Sequence, residues 1–86
     1  MRVRVSVSVS NQSQRVARSS EAAAASRLAV KGYREQERGR VAEAAKSYSH
    51  SLRLEPTNEA VWNNLGAMLQ IMGAMPAAVN AFLAAR

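Results

Sequence analysis

Few side chains in this sequence are equipped for bond-making chemistry. There is one histidine, His50, and neither cysteine nor aspartate. A Ser-His-Asp relay, a thiol nucleophile, a Cys-containing zinc site and a disulfide framework therefore each lack a required member. With no second kind of metal ligand around it, His50 reads as a solvent-facing helix residue. The chain is expected to be no enzyme and to need no cofactor or metal.

What is left is charge and hydrogen bonding. Twelve Lys and Arg stand against six glutamates, a net charge of +6. Arg27, Lys31, Arg34 and Arg38, together with the arginines of the N-terminus, are the candidates for a strip that attracts a phosphate backbone. Only Tyr33 is placed among them for stacking on a base. Arg34, Arg38, Arg40, Lys46 and Arg53 alternate with Glu35, Glu37 and Glu43, the pattern of a solvated helix face laced with ion pairs.

The 86 residues that must position these groups allow one small domain. Apolar residues make up 48% but aromatics only 5%, and an alanine-rich composition favours close-packed helices over a thick sheet core. Residues 1–19 differ from the rest. They are rich in Arg, Ser and Val, free of acid, and alternate with period two from Arg2 to Ser10. With no partner strand elsewhere, they are expected to form a disordered basic tail. The same composition is that of organellar import segments, so import is the alternative to an expected cytoplasmic location. From Ser20 the pattern turns helical, with Ser19 or Ser20 as N-cap, and Gly39 ends the first helix. A second helix runs from Arg40 to Leu54 and stops before Pro56. A third starts after Asn58 and closes at Gly73, and Pro76 sits in the first turn of a fourth. The charge-free stretch from Ala60 to Ala85 is broken by Asn, Gln, Gly and Pro residues, so it is not read as a membrane span.

Sliding the chain along itself until Gly32 lies on Gly66 also brings Gly39 onto Gly73, Ala44 onto Ala78, Tyr48 onto Phe82 and Leu28 onto Trp62. All four glycines fall into pairs. A fixed period that holds two helices is the mark of a helical solenoid.

The second unit, with Trp62, Leu65-Gly66, Leu69, Gly73, Ala78, Phe82 and Ala85, resembles the tetratricopeptide repeat family. The first is more degenerate and shares Gly32, Gly39, Ala44, Tyr48 and the closing Pro56. It departs with Leu28 for the family's Trp, Lys31 for Leu, Glu35 for Tyr and Ser51 for Ala. The resemblance implies an all-α fold of tandem antiparallel hairpins: the first over residues 20–58 and the second, incomplete at its C-terminus, over 59–86. Packing explains the residue types. Glycine and alanine let helices approach, and the aromatics fill the space beside them. If Trp62 and Phe82 are core, truncating either to alanine costs about 3–5 kcal/mol, and Gly66→Leu is at least as damaging through overpacking.

The resemblance also implies binding on the concave face of each first helix, by a peptide or a helical partner. In the second unit that face is Asn63, Asn64, Ala67, Gln70 and Ile71, and in the first Ala29, Tyr33, Gln36 and Glu37. It is mostly neutral and polar. One subclass of the family clamps carboxylates with Lys and Asn, but Ala29 and Tyr33 replace two of those residues. A protein-interaction module within a longer array is the leading expectation. Self-association through an open C-terminal edge at Phe82 and Leu83 accompanies it. An RNA-associated or membrane-surface element built on the basic N-terminus is the runner-up.

Overall fold

The computed structural model describes the backbone of residues 2–85 and side chains from Ser19 to Ala85. It has four helices: α1 (Arg2–Glu37), α2 (Val41–Leu54), α3 (Glu59–Ile71) and α4 (Met75–Ala84). No strand occurs among the described residues. Each helix packs on the next, α1 on α2, α2 on α3 and α3 on α4. The result is two antiparallel helical hairpins joined through α2 and α3.

The start of α1 differs from expectation. The helix does not begin at Ser20 behind a serine cap, because its backbone is continuous from Arg2. No glycine or proline precedes Gly32, so nothing local forces a break. The basic tail expected over residues 1–19 rests on side chains that, but for Ser19, lie outside the described residues.

The two hairpin turns are the same object. Gly39 and Gly73 adopt φ of +77° and +80°, the left-handed conformation that glycine takes without a Cβ penalty. In the first turn the Gly39 N–H donates to Gln36 O at 3.0 Å and the Arg40 N–H to Glu35 O at 2.9 Å. In the second, Gly73 N–H donates to Gln70 O at 3.0 Å and Ala74 N–H to Leu69 O at 2.8 Å. Each turn thereby satisfies carbonyls left over at the end of its helix with the paired bonds of a Schellman motif. The α2–α3 link is built differently. Asn58 caps α3 by accepting the Val61 N–H at 3.2 Å, and the Trp62 indole N–H donates to Pro56 O at 2.7 Å.

Inside each hairpin a glycine faces an aromatic ring. A Cβ on Gly32 would lie 2.8 Å from the Tyr48 ring, and one on Gly66 would lie 2.6 Å from the Phe82 ring. Neither approach tolerates a side chain without movement, which is why both positions, equivalent in the repeat, are glycine. The buried cluster joins Ala44, Ala45, Tyr48 and Leu52 of α2 to Val61, Leu65 and Met68 of α3 and Ala81 of α4. Trp62 and Phe82 are not core residues. Trp62 is half-buried, and Phe82 is 37% exposed. Tyr48 alone among the aromatics is fully enclosed, at 1%, because α3 covers α2 while the outer side of α4 is bare.

Candidate partner-binding face

The residues of the expected groove separate into three groups. Ala29 and Ala67 are half-buried and pack on the core cluster, so they shape the floor and offer little to a partner. Tyr33, Glu37, Asn63, Gln70 and Ile71 are the more open members, with Tyr33 at 53% and Ile71 at 65% exposure. Gln36 and Asn64 are half-buried. The Tyr48 O–H donates to Gln36 Oε1 at 2.6 Å. Burial pushes the Tyr48 phenol above its ordinary pKa, and the nearby Asn64 side chain offsets part of that rise. The phenol stays protonated as a donor, and its bond to Gln36 ties α1 to α2 beneath the exposed polar groups.

No family model, curated protein or solved structure matches this chain. What the face can do follows from its own geometry. Among the described residues, no three His, Cys, Asp or Glu side chains gather in one place. No helix among them is long and apolar enough to cross a membrane.

Three polar residues form a single contact between α1 and α2. The Ser47 hydroxyl donates to Glu35 Oε1. Lys31 Nζ lies 3.5 Å from Glu35 Oε2 and 3.5 Å from Ser47 Oγ. The equivalent positions of the second unit are Leu65, Leu69 and Ala81, so one hairpin joins through polar groups where the other joins through apolar ones. Ser51, standing where alanine was expected, donates to the Ala25 carbonyl at 2.7 Å from a buried position. It pins α1 further from the hairpin turn. Sequence reasoning missed these contacts because each pairs residues 12 to 26 apart across two helices. The available signal was that Lys31, Glu35 and Ser47 all fall on apolar positions of the second unit.

The bond from Ser47 holds the Glu35 carboxyl below its ordinary pKa of 4.5, with Lys31 and Arg40 adding to the effect against the opposing cost of desolvation. Because folding lowers this pKa, the carboxylate stabilises the fold above its unfolded value. That contribution is lost as pH falls through the folded value. Thermal melts across the acid range should show wild-type protein losing stability on this account. Glu35→Gln should be less stable at neutral pH and should lack that component of the acid loss. Parallel curves for the two proteins would rule out the coupling.

The same contact borders a basic strip on α1 and the turn after it. Arg27, Lys31, Arg34, Arg38 and Arg40 line one groove together with Ser26, Val30 and Glu35. Among the described residues Arg27, Arg34 and Arg38 form no ion pair.

Proposed function

We propose that the chain is a pair of tetratricopeptide-type hairpins acting as a protein-interaction module, which takes an extended peptide or a helix across α1 and α3. The observation that carries this reading is the recurrence of a whole local geometry from one hairpin to the next. Gly32 meets Tyr48 as Gly66 meets Phe82, and the turns at Gly39 and Gly73 share their backbone bonds. Hairpins of this kind are too thin to bury a core alone, so they stack and leave one helix of each pair on a continuous face. On that face Tyr33 and Ile71 are available for apolar side chains, and Asn63 and Gln70 for a peptide backbone.

Selection from a displayed library of random short peptides provides a ligand for testing. On titration of the selected peptide, the amide signals of Tyr33, Asn63, Gln70 and Ile71 should move. A Tyr33→Ala, Ile71→Ser double variant should bind at least about tenfold more weakly, the loss expected when an exposed anchor is truncated. Shifts confined to other faces, or unchanged affinity in the double variant, would refute the assignment.

A second reading is favoured by one observation, a groove with five basic side chains, of which Arg27, Arg34 and Arg38 form no ion pair among the described residues. Such a groove attracts polyanions through counterion release. Steep loss of affinity for a single-stranded RNA homopolymer with added salt, abolished by reversing Arg27 and Arg34 to glutamate, would support that use of the strip.

A further inference from the structure

The two outer ends of the hairpin pair are chemically opposite. On α2, Ala45 and Tyr48 belong to the buried cluster shared with α3 and Val41 packs against it, with Ala45 and Tyr48 only 7% and 1% exposed. Their equivalents one repeat later, Met75, Val79 and Phe82, form the same face of α4, but there Met75 and Val79 are each 49% exposed and Phe82 37%. Leu83 continues the stripe at 52%. A face that is buried in one hairpin is thus bare in the other, and it has become larger and more apolar. Contiguous apolar surface of this kind marks an interaction site.

We propose that this outer face of α4 joins two copies of the chain in a closed, twofold dimer. Charge and symmetry support the pairing independently of the peptide-binding reading, which uses α1 and α3. The α2 face is covered by Val61, Leu65 and Met68 of α3, all buried. Their counterparts one repeat earlier are Arg27, Lys31 and Arg34. A head-to-tail stack, with α1 of one copy laid on α4 of the next as α3 lies on α2, would bury Arg27 and Arg34, which form no ion pair among the described residues, against an apolar surface that offers no acid. An α4-to-α4 contact brings no charge from α4 itself into the interface, since residues 60–85 contain neither Asp, Glu, Lys nor Arg. It also holds the basic α1 ends of the two copies apart. A twofold contact uses one patch twice and closes on itself, whereas a head-to-tail contact leaves an open end.

The test is sedimentation equilibrium of the full chain over about a hundredfold range of concentration. The expected result is a monomer–dimer equilibrium that stops at the dimer. Val79→Glu and Leu83→Glu, each placing a charge in the contact twice, should weaken it by at least about a hundredfold while circular dichroism remains helical. Because the chain has no cysteine, Val79→Cys or Leu83→Cys can be oxidised cleanly. One of the two should give a disulfide-linked dimer, and Val30→Cys on α1 should give none. Wild-type protein that stays monomeric throughout the range, or that grows past the dimer without a plateau, would overturn the proposal whether or not the variants fold.

Discussion

Tyr48→Ala should lower the stability of the fold by about 3–5 kcal/mol, the range found when a large buried side chain is cut back and its cavity cannot collapse. For a chain of this size total stability is about 4–13 kcal/mol, so the variant should melt far below wild type or fail to fold. The reason is position. Among the described residues Tyr48 is the one large side chain fully enclosed. Its ring lies on Gly32, its phenol is tied to Gln36, and α3 covers its other side. Tyr48→Phe keeps the ring and removes the bond to Gln36, so it should cost only about 0.5–1.5 kcal/mol. Urea titration of the two variants separates these contributions. Similar losses for both would mean that the ring contributes little and the hydrogen bond dominates.

The second large effect is an asymmetry between the paired glycines. Either Gly32→Ala or Gly66→Ala gains about 1 kcal/mol of helix propensity and sets a methyl group against an aromatic ring, a clash that costs about 1–3 kcal/mol where the ring cannot move. Distance alone points to Gly66 as the worse site, with its Cβ at 2.6 Å against 2.8 Å for Gly32. Freedom of the ring reverses that order. Phe82 is 37% exposed and can swing toward solvent, while Tyr48 is 1% exposed and held at its hydroxyl. In dilute, monomeric protein Gly32→Ala should therefore be clearly destabilising and Gly66→Ala close to neutral. At concentrations where two copies meet on α4, Phe82 is covered and the loss for Gly66→Ala should grow, whereas a larger melting-temperature loss for Gly66→Ala in dilute protein would refute the freedom of the ring.

The hairpin architecture was legible from spacing because glycine carries a specific physical demand. Gly39 and Gly73 predicted the two turns, Pro56 the link between hairpins, and Gly32 and Gly66 the close approaches. The start of the first helix was not legible. Serine is a good cap, but it also tolerates a helix interior, and only a true breaker decides between the two. The burial of the aromatics was half legible. Tyr48 and Phe82 are equivalent in the repeat, but one is 1% and the other 37% exposed, and a repeat comparison does not show which of two equivalent faces a helix covers. In the candidate face, the exposure of Tyr33, Asn63, Gln70 and Ile71 follows from helical periodicity. The bond between Tyr48 and Gln36 depends on how α1 and α2 lean together, which no local pattern encodes.

The Lys31–Glu35–Ser47 contact in one hairpin and the Leu65, Leu69 and Ala81 seam in the other respond differently to temperature. Apolar burial weakens on cooling, whereas ionic and hydroxyl contacts keep their strength there. The seam between α3 and α4 is thus the half of the molecule more sensitive to cold. The seam between α1 and α2, fastened by a carboxylate, yields first in acid.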